Sequence, residues 1–229
     1  QVCDFSLGNP NAAPPTAFFD ALRDVAAAAD PAAHRYMPNA GLPAARAAVA
    51  EFLTREYGLR FDPSGVILTS GAAGATNVVL HAILDPGDEV VVLAPYFPEY
   101  RFYIEQAGGR MVVVQTQADF QPDLAAIAAA LTPRTRAVLV NTPNNPTGAV
   151  YNVDQLAELG TLLQRHEQAH RPVYLISDDV YRRVIFDLPR CPAPAAHYAR
   201  TIVVSSYSPS RLTDLGFEEV MEAEHGRAA

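Results

Sequence analysis

From about residue 60 onward, short runs of β-branched and aliphatic residues alternate with stretches that carry a helical pattern. Residues 66–69 read as a strand, 73–84 as a helix stopped by Asp85-Pro86-Gly87-Asp88, 89–93 as a strand, 99–106 as a helix and 111–114 as a strand. The alternation continues with a helix at 122–131, a strand at 137–140, a helix at 153–165, and strands at 173–177 and 201–204. Strands that take turns with helices build βαβ units, and these predict an α/β fold with a mainly parallel sheet. The strand runs are nearly all apolar, so both faces of the sheet should be covered by helices. In such sheets ligands bind beyond the carboxyl ends of the strands, and the unusual residues of this chain lie there.

Composition narrows the function. The chain has 229 residues, 49% of them apolar, enough for a sizeable core. Its net charge of −8 excludes a general affinity for nucleic acid. No run approaches the length of a membrane span, and residues 1–5 lack the basic and apolar segments of a secretory leader. Cys3 and Cys191 stand too far apart for a metal-ligand spacing, so a reduced, cytoplasmic protein is expected. His166 and His170 sit four apart on an expected helix, without Cys or acidic partners at metal spacing, and no metal site is expected. All 17 basic residues are Arg. The chain therefore has no Lys amine to serve as a nucleophile.

Each strand-end segment has an ordinary reading beside a functional one. Thr69-Ser70-Gly71-Ala72-Ala73-Gly74-Ala75 is either a tight strand–helix turn or an anion cradle, where small residues admit a phosphate to the helix N-terminus. In Ala94-Pro95-Tyr96-Phe97-Pro98-Glu99-Tyr100 an aromatic ring either packs in the core or stacks on a planar ligand. Asn141-Thr142-Pro143-Asn144-Asn145-Pro146-Thr147-Gly148 is a plain loop or a rigid mount for amide donors. In Asp178-Asp179-Val180-Tyr181 the carboxylate is a helix cap or the counter-charge for a protonated ring nitrogen.

Taken together and in this order, the segments resemble the class I/II aminotransferases, the aspartate-aminotransferase-like pyridoxal-phosphate enzymes of fold type I. The resemblance runs from about residue 4 to residue 208. It draws also on Ser6-Leu7-Gly8-Asn9-Pro10, on Arg35-Tyr36-Met37-Pro38-Asn39-Ala40-Gly41-Leu42-Pro43 with Arg46, and on Asp85-Pro86-Gly87-Asp88-Glu89-Val90. It implies a segment with substrate-side and dimer motifs over 1–60, the cofactor-binding large domain over 61–208, and a divergent tail over 209–229 with the small C-terminal domain absent. It implies pyridoxal phosphate as cofactor, an amino acid and a 2-oxo acid as substrates, and a homodimer. Backbone N–H groups of Ala72 and Ala73 would hold the phosphate, with Ser206. Phe97 would stack on the pyridine ring, Asn145 and Tyr181 would bond the ring hydroxyl oxygen, and Asp178 would pair with the pyridinium nitrogen. Gly8, with Asn145, would meet the substrate, and Tyr36 would reach the phosphate of the neighbouring subunit.

The chain departs from that family where the Schiff-base lysine belongs. The family reads Ser-Tyr-Ser-Lys or close to it, whereas this chain reads Ser206-Tyr207-Ser208-Pro209. The following Ser210-Arg211-Leu212 does not continue the family pattern either. No catalytic residue is therefore assigned, and an impaired, truncated or frame-disrupted aminotransferase is expected. Alternatives on the same fold are a carbon–sulfur lyase or an aminocyclopropane-carboxylate synthase-like enzyme; a non-catalytic aminotransferase-like binding module is another. Cis peptides are expected at Ala94-Pro95 and Asn145-Pro146. Asp178 is expected in one pocket with Ala72, Phe97, Asn145 and Tyr181.

Overall fold

The computed structural model describes residues 14–28 and 30–206. It divides into two compact units that part between Leu68 and Thr69. In the first unit, helix α1 spans Thr16–Ala27 and α2 spans Pro43–Tyr57. Pro43 begins α2, where its missing N–H costs no hydrogen bond, and Gly58 ends it in the left-handed conformation. Arg46 is a structural clasp there, donating to the carbonyls of Val66 at 2.7 Å and Pro63 at 2.7 Å.

Residues 66–69, expected as a strand, are not one. Their apolar character is that of a strand, but a strand needs a neighbour to complete its ladder. The Leu68 N–H reaches only the Ala40 carbonyl, and no described strand pairs with the segment.

The second unit holds α3 (Gly71–Ile83), β1 (Glu89–Ala94), α4 (Tyr100–Gln106) and β2 (Arg110–Gln115). These are followed by α5 (Leu124–Ala130), β3 (Thr135–Asn141), α6 (Val153–Ala169), β4 (Tyr174–Asp178) and β5 (Thr201–Val204). Each remaining expected element appears, with ends moved by a few residues. The strands form one parallel sheet in the order β2-β1-β3-β4-β5.

Both faces of the sheet are covered, as the apolar strands require. Val91, Leu93, Val138, Val140 and Leu175 face Ile127 of α5 and Leu156, Leu159 and Leu163 of α6. The alternate residues Val90, Val92, Leu139 and Ile176 face Leu80 of α3 and Tyr100 and Ile104 of α4. The fit on the first face is close at Gly160 of α6. A Cβ there would lie 2.3 Å from the His197 carbonyl oxygen, so only glycine lets the helix approach.

The strand order also locates the site. The chain moves from β1 outward to β2, then returns across β1 to β3 and continues in the opposite direction. The loops after β1 and β3 therefore diverge, and the crevice between them is where a parallel sheet of this kind takes its ligand.

Candidate active site

Asp178 is the last residue of β4 and is 8% exposed. Its partner in the β3 register is Asn141, likewise the last residue of its strand. Asn141 donates its amide to the Asp178 carbonyl at 2.8 Å and accepts the Asn145 N–H at 2.6 Å. The two strand ends and the loop after β3 are thereby tied together. Tyr100, at the start of α4, donates its hydroxyl to Asp178 Oδ2 at 2.5 Å. Its ring meets Phe97 edge-on, with centroids 5.6 Å apart. Asn145 Nδ2 lies 3.4 Å from the Tyr181 hydroxyl. One connected network therefore joins Phe97, Asn145, Asp178 and Tyr181 through Tyr100 and Asn141.

The tandem carboxylates have opposite fates. Asp179 turns into the interior, where it accepts the Ser177 hydroxyl and lies 3.8 Å from the Arg182 guanidinium. Arg182 is itself buried and donates to the Cys191 carbonyl at 2.8 Å and the Pro192 carbonyl at 3.0 Å. Asp179 thus anchors the return of the chain, and Asp178 stays at the strand end. The two Asn divide in the same way. Asn144 is buried, accepts from Thr147 inside its own loop and donates to the Pro95 carbonyl at 3.2 Å, joining the loops after β1 and β3. Asn145, beside it, is half-buried. The Ala94–Pro95 and Asn145–Pro146 bonds are cis as expected, and so is Thr142–Pro143.

Ala72 and Ala73 lie in the first turn of α3. Asp123 and Asn152 cap α5 and α6 by accepting N–H groups, but no side chain caps α3. The same holds for α1, α2 and α4; in α3 the Gly71 N–H reaches the Thr69 carbonyl at 3.0 Å, and the N–H groups of Ala72 and Ala73 have no side-chain acceptor. Gly71, with φ of 71°, makes the bend into this helix, a conformation that strains other residues. Ala72 packs with Phe97 against the cluster that contains Tyr100, and α3 lies against β5, next to the strand of Asp178. Ser206, half-buried, lies just beyond β5. Tyr36 belongs to the first unit and is fully exposed. Gly8 and Pro209 lie outside the described residues.

The sequence model of the family "Aminotransferase class I and II" matches residues 1–211. This chain belongs to the class I and II aminotransferases. An aspartate/prephenate aminotransferase of Thermus thermophilus is 43% identical over 155 residues, covering 67% of this chain and 39% of that protein. An aspartate aminotransferase of Streptomyces avermitilis is 35% identical over 187 residues, 81% of this chain and 44% of its own length. Among solved structures, an amino transferase from Eubacterium rectale superposes with a TM-score of 0.85 at 33% identity, over 98% of this chain and 61% of that one. The chain thus spans less than two thirds of the length of these relatives.

Aminotransferases of this family use pyridoxal phosphate. The residues present fit that group: an uncapped helix start for a phosphate, a ring wall at Phe97, and a carboxylate held at the strand end. Reading residues by type missed Tyr100 and Asn141. Both belong to the strand-end segments, and the clue was positional. Tyr100 lies three residues after Phe97, and Asn141 ends the strand beside that of Asp178. Among the described residues no group of His, Cys, Asp and Glu could hold a metal ion.

Proposed function

We propose that residues 69–206 form the pyridoxal-phosphate site of an aminotransferase that moves an amino group between an amino acid and a 2-oxo acid. The connected network of Phe97, Tyr100, Asn141, Asn145, Asp178 and Tyr181 carries this reading, because it gathers a flat ring wall, a carboxylate and hydroxyl-directed donors at the switch point of the sheet. Ala72 and Ala73 offer backbone N–H groups to the phosphate, with Ser206 as a further donor. Phe97 stacks on the ring, and Asn145 and Tyr181 bond its hydroxyl oxygen. Asp178 holds a proton on the ring nitrogen by opposing it with negative charge. When bound, the cofactor supplies an electron sink for the substrate's α-carbon. Asn145 also meets the substrate.

The chain contains no Lys, so no side-chain amine can bind the cofactor covalently or carry the proton at the α-carbon. Arg is no substitute, since its guanidinium stays protonated. The chain of 229 residues therefore binds the cofactor without turning it over efficiently. Tyr36, fully exposed, and its exposed neighbour Met37 form part of a contact with a second subunit, making a homodimer. The reduced, buried Cys191 fits a cytoplasmic protein, and no described helix is long and apolar enough to cross a membrane.

The test is to mix the chain with pyridoxal phosphate, measure binding by calorimetry, reduce with borohydride and map adducts by peptide mass spectrometry. Saturable binding is expected, with no adduct on any side chain. A stoichiometric adduct within residues 200–215, or no binding, would overturn the reading.

A further inference from the structure

Tyr100 is a core residue with a polar end at the strand termini. It is 2% exposed and packs in the cluster of Leu80, Ile104 and Leu139. A phenylalanine would fill the same apolar volume, so packing does not explain the hydroxyl. A buried hydroxyl is costly unless it is hydrogen-bonded, and this one is aimed at Asp178 Oδ2, 2.5 Å away. The same ring meets Phe97 at 77°. One rigid side chain thus braces both the ring wall and the carboxylate. Burial, reinforced by the Asp178 charge, pushes the phenol far above its ordinary range, so it remains a proton donor.

We propose that Tyr100 is a positioning residue that makes the site selective for a planar heteroaromatic ring bearing a protonated nitrogen, by fixing the Asp178 carboxylate relative to the Phe97 ring. Without the hydroxyl Oδ2 loses its 2.5 Å bond while the Val180 N–H stays 3.4 Å from Oδ1, so the carboxylate is held less firmly and a ring cation must order it further on binding. A ring without a basic nitrogen does not use the carboxylate and is indifferent to that freedom. The inference rests on the cofactor reading above and goes beyond it in naming a residue that acts through Asp178.

The experiment titrates the full chain and its Tyr100→Phe variant with pyridoxal phosphate and with 1-deazapyridoxal phosphate, whose ring carries CH in place of the nitrogen. The wild-type chain should prefer pyridoxal phosphate. The variant should lose about tenfold in affinity for it and lose little for the deaza analogue. Equal losses for the two ligands would mean that the hydroxyl serves only the packing, and would overturn the inference. A wild-type chain that binds both ligands equally would overturn it too, leaving the phosphate and stacking contacts intact. A wild-type chain that binds neither would remove the cofactor reading itself, and the inference with it. A measurement on the wild-type chain covers the case in which the variant does not fold. The Tyr100 hydroxyl proton resonance should move on addition of pyridoxal phosphate and stay in place with the deaza analogue, and an identical response to both would refute the proposal.

Discussion

Two buried carboxylates stand at opposite ends of the sheet, and their surroundings differ. Glu89, the first residue of β1, has a fully buried side chain closed over by the guanidinium groups of Arg110 and Arg134 and the hydroxyl of Thr132. Burial alone would push its carboxyl up, but the bonds from Thr132, Arg110 and Arg134 outweigh that and hold it below its usual range. Asp178, the last residue of β4, receives the Tyr100 hydroxyl and is linked through Tyr100 and Asn141 to Phe97, Asn145 and Tyr181. Glu89 closes the amino ends of the strands with charge already neutralised, and its work is stability. Asp178 lies at the end where parallel strands take ligands, where the Tyr100 hydroxyl reaches Oδ2 and the Val180 N–H lies 3.4 Å from Oδ1, and the work proposed for it is binding. A buried acid is therefore informative about function only together with its position on the sheet and its partners.

The sharpest way to break this contrast is to remove each carboxylate. Asp178→Ala should weaken pyridoxal-phosphate binding about 100-fold, or nearly 3 kcal/mol, as expected when a charged partner is removed from a buried site. Titration calorimetry reads this, and an unchanged affinity would strip Asp178 of its role. Glu89→Ala should leave that affinity alone and cost about 2 kcal/mol of stability, read by urea denaturation. The depressed Glu89 carboxyl stabilises the fold above the ordinary carboxylate range, near 4.5, and this contribution is lost as pH falls through the folded value. The stability gap between wild type and Glu89→Ala should accordingly narrow on acidification, and a gap that widens would contradict the assignment.

The paired Asn residues sharpen the contrast on a smaller scale. Asn145→Ala should reduce cofactor affinity about tenfold with little change in melting temperature. Asn144→Ala should instead lower stability by about 1–2 kcal/mol, because it leaves the Pro95 carbonyl and the Thr147 turn without their partner. The reverse pattern would mean that the two side chains exchange these tasks. The smallest effect concerns the surface. Phe186 is 91% exposed and Phe102 58% exposed. Phe186→Ser should change stability by no more than about 0.5 kcal/mol, yet raise the monodisperse fraction seen by light scattering, since exposed apolar patches promote association.

The α/β class and the parallel sheet could be read from the chain because alternating apolar runs and helical patterns leave few topologies open, and the strands β1, β3 and β4 are apolar on both faces. The family was legible as well, since strand-end motifs in a set order are far more specific than any one of them. Residues 66–69 show the limit. Their residue types suit a strand, but a strand is completed by its neighbour, and local sequence does not say whether a neighbour is present.

The absence of Lys is a property of the sequence alone. Which of two adjacent polar residues faces the crevice was decided only by the tertiary structure. Alternation along a strand assigns faces while the ladder lasts. Past its end, the path is set by interactions with distant residues. Arg182 and Ser177 draw Asp179 inward, and Thr147 and Pro95 occupy Asn144. Asp178 and Asn145 are left at the strand ends, on the side proposed for the ligand, for that reason. The role proposed for Tyr100 follows from the same cause, because its hydroxyl gains meaning only when a residue 78 positions away is folded to within 2.5 Å.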